Sequence, residues 1–159
     1  MGTTAAYFRK KNEMNQVETR DILVSIFNEL GYDYDVHKLS YDKLTDSAYC
    51  DIGVSNASEL DEYGLPEGLF LSVNERLIPV DDHDFDWIGH DIDCAVSFED
   101  VCKSQNMFLE ITYRYLQRYT DDVLWLDTDL VYSKDDIEKI YQNKETTILW
   151  LSRRPDYLL

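Results

Sequence analysis

Residues 120–151 read TDDVLWLDTDLVYSKDDIEKIYQNKETTILWL, and this stretch decides the fold. Val123, Leu124, Trp125 and Leu126 make an apolar run of strand length. Asp127-Thr128-Asp129 interrupts the run with side chains that readily bond neighbouring backbone amides, as turns require. Leu130, Val131 and Tyr132 then pair back or continue the strand. Ser133 followed three residues later by Asp136 is a helix-capping signal. The short helix it opens presents Ile137, Ile140 and Tyr141 on one side. Residues 143–145 are a turn, and residues 147–151 read as a last buried strand. Strand, break, capped helix and strand within thirty-two residues mix helix and sheet locally.

Working outward, Asn15 and Glu18 form a capping box at the start of a helix over Gln16–Leu30. Leu23, Ile26, Phe27 and Leu30 give it one apolar face, and Gly31 supplies a left-handed stop. Ahead of it lies a short lead with a strand near residues 5–8. Its basic run, Arg9, Lys10 and Lys11, is expected to be solvated. After the helix the period changes to two: Tyr32, Tyr34 and Val36 alternate with Asp33, Asp35 and His37, and Ala48, Cys50, Ile52 and Val54 alternate likewise. Gly64, Pro66 and Gly68 make residues 55–68 a loop. Residues 69–73 and 77–80 flank Asn74-Glu75-Arg76 and predict a hairpin there. Ile92–Phe98 is a further strand. A second long helix lies within residues 99–119, where Phe108, Ile111, Tyr115 and Tyr119 share a face. Strands cluster and do not alternate strictly with helices. The expected class is α+β: one domain over residues 1–159, a mainly antiparallel sheet, and two longer helices and one short C-terminal helix packed on one face.

A chain of 159 residues is long enough to bury a real core. The formal charge of −17 repels nucleic acid and anionic membrane and attracts basic partners. The twelve tyrosines suit half-buried sheets and contact surfaces, because the ring packs while the hydroxyl stays wet. Cys50, Cys94 and Cys102 are odd in number and form no C-x-x-C pair, so they predict neither a disulfide framework nor a zinc site. They read as small buried hydrophobes in a reducing, cytoplasmic setting. No window has the length or apolarity of a signal peptide or a membrane span. There is no P-loop, no G-x-G-x-x-G and no G-x-S-x-G elbow.

Three segments could carry chemistry. An apolar strand ending in Asp127-Thr128-Asp129 resembles the D-x-D segment with which type A glycosyltransferases hold a metal-bound nucleotide sugar. That resemblance covers about ten residues, and the chain lacks the Gly-rich parallel unit such enzymes place upstream. Read as a calcium loop the segment fails, since Val131 and Tyr132 stand where an oxygen ligand and a glycine are needed. Residues 81–93 hold six aspartates and two histidines, His83 and His90, a composition that could bind a divalent metal but whose spacing matches no defined site. The same residues read better as a contact surface. Between Leu44 and Cys102 there are fifteen acidic side chains, and Arg76 is the single Lys or Arg. Such one-sided charge repels itself, and a basic partner relieves it. The candidate partner-binding residues are Asp81, Asp82, Asp84, Phe85, Asp86, Trp87, Asp91 and Asp93, the two aromatics serving as apolar anchors within a charged rim. No catalytic residue, metal ligand or cofactor is nominated.

A small acidic α+β domain of this kind resembles the immunity proteins of bacterial polymorphic toxin systems. The likeness lies in the last third: a long amphipathic helix over residues 107–119, the strand VLWL running into the acidic turn DTD, then Tyr132-Ser133 opening a short helix. The resemblance implies stoichiometric occlusion of a basic, nuclease-like toxin by a non-enzyme, and it transfers no functional residue. A nucleic-acid mimic that blocks a host defence nuclease would use the same physics. A reduced glycosyltransferase-like enzyme built on Asp127-Thr128-Asp129 is the enzymatic alternative.

Overall fold

The computed structural model describes residues 3–37, 40–43, 47–60, 62–76, 87–88, 91–147 and 149–159. The sheet is built around β1 (Ala5–Lys10), which lies antiparallel between β6 (Ile92–Phe98) and β7 (Val123–Leu126). It takes the centre because it is apolar on both sides: Ala5, Ala6, Tyr7 and Phe8 are all buried. The sheet order is β2 (Asp33–Val36), β4 (Ser47–Leu60), β5 (Pro66–Arg76), β6, β1, β7 and β8 (Leu130–Tyr132), with β3 (Ser40–Asp42) also on β4. Every pairing is antiparallel. Three α-helices, α1 (Gln16–Leu30), α2 (Gln105–Arg118) and α3 (Lys134–Gln142), complete the α+β domain expected from the sequence.

Register explains the core. Cys50, Val73, Val96, Tyr7, Leu124 and Tyr132 are successive cross-strand partners, and Ile52, Leu71, Phe98, Ala5 and Leu126 form the next row. Partners across an antiparallel ladder share a face, so both rows point at the helices. They meet Leu23, Ile26 and Phe27 of α1, Phe108, Ile111 and Tyr115 of α2, and Ile137 and Ile140 of α3 in one cluster. Tyr7 is its hub, stacked on Tyr115 at 4.1 Å and edge-on to Phe98 at 5.1 Å, with its hydroxyl 2.7 Å from Thr112 Oγ1. Aromatic pairs of this geometry add about 0.5–1.5 kcal/mol each beyond area burial.

Helix ends follow the sequence signals. Asn15 Oδ1 accepts from the Glu18 N–H, and Gly31 stops α1 at φ 71°. Ser133 and Asp136 bond each other's backbone N–H groups in a reciprocal capping box.

Four expectations are corrected. Residues 55–68 are not one loop: β4 runs on to Leu60 and β5 begins at Pro66, so polar side chains are carried by ladder pairing, and among the described residues the turn lies at residues 62–64, with Gly64 at φ 78°. Asn74, Glu75 and Arg76 are not a turn but the end of β5, opposite Tyr49, Ala48 and Ser47; residues 77–80 lie outside the described residues. The described residues of the last stretch, Thr147, Leu149, Trp150 and Leu151, are not in a strand. The Ser152 and Arg153 N–H groups both donate to the Leu149 carbonyl, which closes a turn. Its apolar residues serve as a plug: Trp150 stacks on Phe108, and its carbonyl accepts from the Tyr132 hydroxyl at 2.6 Å. Finally, Arg9 is not solvated but only 3% exposed. Among the cysteines Cys50 is buried, whereas Cys94 and Cys102 are half-buried, and all three are free thiols.

Candidate functional site

The second face of the sheet carries the alternate residues, and among the described residues no helix packs on it. Asp51, Ser72, Ser97, Ala6, Trp125 and Val131 form one cross-strand row. Asp35, Gly53 and Phe70 form a second row, and Asp33, Ser55 and Gly68 a third. Toward the β2 edge these rows are small or acidic. The result is a groove of 610 Å³ walled by Asp33, Asp35, Glu99 and Asp100 over a floor of Gly53, Ser55, Gly68 and Phe70. Beyond Phe70 it continues into a hollow of 390 Å³ over Ser72, Ser97 and Thr4, with Glu99 and Asp100 again on its wall.

The glycines make the hollow. A Cβ added at Gly53 would meet nothing within 4 Å, so that position is open floor. At Gly68 it would lie 3.3 Å from the Val54 carbonyl oxygen, a tight approach that the backbone relieves only by giving a few tenths of an ångström. The rim is positioned by backbone bonds. The Glu99 N–H donates to the Phe70 carbonyl at 3.1 Å, Asp100 Oδ1 accepts from the Cys102 N–H at 3.0 Å, and the Ser104 hydroxyl donates to the Gly68 carbonyl at 2.9 Å. Asp51 accepts from the Ser72 hydroxyl.

Among the described residues, no Lys or Arg lines the groove. Among the described residues, the lysine and arginine ion pairs lie elsewhere: Arg20–Asp21, Arg118–Glu29, Arg114–Glu110, Lys144–Glu110, Lys134–Glu138 and Arg154–Asp136 on or beside the helices, and Arg9–Asp122 inside. At the groove His37 Nε2 stands 3.8 Å from Asp35, a pair that is ionic only with the imidazole protonated. The arrangement holds negative charge on the rim of a shallow floor built from glycines, serines and the exposed Phe70 ring, which suits the charged head and apolar stem of a cationic side chain.

Of the residues nominated from sequence, Asp81, Asp82, Asp84, Phe85 and Asp86 lie outside the described residues. Trp87 sits in a turn and is 57% exposed. Asp91 is exposed at φ 54°, and its carbonyl accepts from the Lys11 N–H at 2.7 Å. Asp93 is half-buried, opposite Arg9 in the β1–β6 ladder, with Oδ1 2.7 Å from the Cys94 N–H. The groove residues Asp33, Asp35, Glu99 and Asp100 were not singled out as a site. The readable signal was the period-two alternation of Asp33 and Asp35 and of Gly53 and Ser55; which strands lie side by side was not readable.

Two other polar clusters are structural. Asp127-Thr128-Asp129 is the turn of the β7–β8 hairpin: Asp127 Oδ2 accepts from the Thr4 N–H at 3.0 Å, Thr128 Oγ1 donates to the Leu151 carbonyl at 3.0 Å, and Asp129 is left-handed at φ 62°. Inside the fold, Arg9 Nε donates to Asp122, one terminal nitrogen donates to Thr19 Oγ1 at 2.8 Å, the other to the Tyr115 hydroxyl, and the guanidinium lies 3.7 Å over the Tyr119 ring. Burial pushes the Asp122 carboxyl above its usual range against the opposing pull of Arg9 and Tyr115. Among the described residues no group of three His, Cys, Asp or Glu side chains is placed to hold a metal ion, and no helix is long and apolar enough to cross a membrane. Compared with family models, curated proteins and solved structures, the chain matches none.

Proposed function

We propose that this protein is an acidic binding protein that occludes a basic protein partner by stoichiometric binding, in the manner of an immunity protein covering a nuclease-like toxin. The observation that carries this reading is the segregation of charge: Arg9, Arg114, Arg118 and Lys144 are ion-paired within the helical side, while the groove presents Asp33, Asp35, Glu99 and Asp100 with no lysine or arginine among the described residues of its lining. Carboxylates fixed on a sheet lose little conformational freedom on meeting a cation, so they favour fast, salt-sensitive association. The aspartates of residues 81–93 add to the same field.

The test begins with affinity capture from the source cell, identification of the retained protein and measurement of its association rate at two salt concentrations. The expected partner is basic, and its on-rate falls about tenfold or more with rising salt. Changing Asp33, Asp35 and Glu99 to Asn, Asn and Gln slows association. A second set, Asp81, Asp82, Asp84 and Asp86 to Asn, measures the share of that segment. A retained partner of neutral or acidic character, or an on-rate indifferent to salt and to both sets, overturns the proposal.

A further inference from the structure

β4 and β5 extend past the rest of the sheet. β2 pairs with β4 no further than Ser55, and β6 pairs with β5 only over Leu71 to Val73. Beyond the Ser55–Gly68 pair no third strand among the described residues pairs with either, and the two form a two-stranded arm closed by the Leu60–Pro66 pair. Residues 57–59 bulge out of the ladder, where Asn56 Oδ1 accepts from the Ser58 N–H and hydroxyl at 3.2 and 2.7 Å. Such an arm is marginal in water by itself.

Its tip is apolar where hairpin tips are ordinarily polar. Leu60 is 60% exposed, Tyr63 80% and Leu65 60%. Burying a side chain of this size is worth about 1.5–3 kcal/mol relative to leaving it exposed, so three exposed at one tip offer apolar area to a partner. Around them stand Glu59, Glu62 and Glu67, and residues 57–67 contain no Lys, Arg or His. Burial, then Glu59, raises the Glu67 pKa, the sign of carboxylates crowded on one arm.

We infer that this arm is the anchor of the complex: Leu60, Tyr63 and Leu65 enter an apolar hollow on a basic protein, and Glu59, Glu62 and Glu67 pair with the cations around its mouth. The inference rests on the proposed function and names the element that holds the partner after the groove has steered it. Charge selects the occupant. A second copy of a chain of charge −17 would set acid against acid, and an anionic membrane would repel the same glutamates. Apolar anchors inside a charged rim are also where interfaces concentrate their energy.

The probe is a photo-crosslinking benzoylphenylalanine at position 63 of the full chain, irradiated in the source cell, with the same probe at exposed Gln142 on α3 as control. The expected adduct forms at position 63 and not at 142, and contains a basic protein. With that protein purified, the triple variant Leu60→Ser, Tyr63→Ser, Leu65→Ser weakens affinity about 100-fold or more, mainly by faster dissociation; Tyr63→Ser alone weakens it about tenfold. Thermal midpoints change little, because these side chains are largely exposed. If a basic partner is found but the triple variant binds within threefold of wild type, the arm is not the anchor and the proposed function stands. If the adduct is a second copy of this chain or a protein without basic character, or if none forms at 63, the inference falls, and the salt dependence at the groove decides the broader reading separately.

Discussion

On the helical side of the sheet Arg9 is locked between Asp122, Thr19 and Tyr115, and each of its three guanidinium nitrogens donates to one of them. On the other side Asp33, Asp35 and Glu99 stand exposed over Gly53, Ser55 and Gly68, with no lysine or arginine among the described residues of the groove lining. Both regions are charged, yet the physics differs. A buried ion is tolerable only when each of its hydrogen-bonding groups is matched, because desolvation costs several kcal/mol per ion. Exposed carboxylates avoid that cost, and their mutual repulsion remains for a partner to cancel. The difference separates charge that holds this fold together from charge available for recognition.

The sharpest way to break the comparison is at Asp122. Asp122→Ala leaves a guanidinium that cannot lose its proton in a site 3% exposed, and stability should fall by about 3–5 kcal/mol. Arg9→Met should cost less, because the remaining carboxyl can take a proton and keep its bond with Tyr115. Urea unfolding at neutral pH measures both. A loss below about 1 kcal/mol for Asp122→Ala would mean that the buried pair does not differ energetically from a surface pair.

How much of this contrast was legible differs between the two sides. α1 with both caps, β6, β7 and the Ser133–Asp136 box follow from local signals: alternation, capping chemistry and a left-handed glycine act within a few residues. The second strand of the β4–β5 arm, the plug at Trp150 and the burial of Arg9 depend on partners far along the chain. TILWL has the composition of a strand, yet Trp150 and Leu151 are held in a turn, their carbonyls accepting from the Tyr132 and Thr128 hydroxyls. Arg9 was misread by charge although it alternates with Ala5 and Tyr7, both core residues; the period carried the answer and the neighbouring lysines obscured it. The groove needed the strand order as well as the alternation, since Glu99 and Asp35 meet at one hollow only because β5 lies between β4 and β6.

The next test lies on the groove floor. Gly53→Val places a β-branched side chain in open space on a central strand, so stability should change by no more than about 0.5–1 kcal/mol, in either direction. Its methyls would nevertheless occupy the hollow between Asp35 and Phe70, and association with a basic partner should weaken about tenfold while the carboxylates stay in place. A variant that unfolds would show the glycine to be structural. One that binds normally would show that the partner touches the rim without entering the groove.

The smallest effect is also the one that distinguishes the regions by sign. Glu110 on α2 receives Arg114, Lys144 at 3.1 Å and the Tyr141 hydroxyl at 3.0 Å. Burial alone would raise its pKa, but these three outweigh it and the net direction is down. Glu67 on the arm moves the other way, raised by burial and by Glu59. A carboxylate with a lowered folded pKa contributes stability above its unfolded value, about 4.3, and loses it as pH falls through the folded value. One with a raised folded pKa favours the fold below the unfolded value, and that contribution is lost as pH rises through the folded value. At pH 7 Glu110→Gln should therefore destabilise and Glu67→Gln should stabilise, each by about 0.5 kcal/mol because both groups are largely solvent-screened. Both differences should shrink toward zero below about pH 4. Urea midpoints of the two variants across pH 3.5–7.5 measure this. Shifts of the same sign at neutral pH would show that the arm's carboxylates are as well satisfied as those on the helices, and the contrast between the two regions would fail at its electrostatic root.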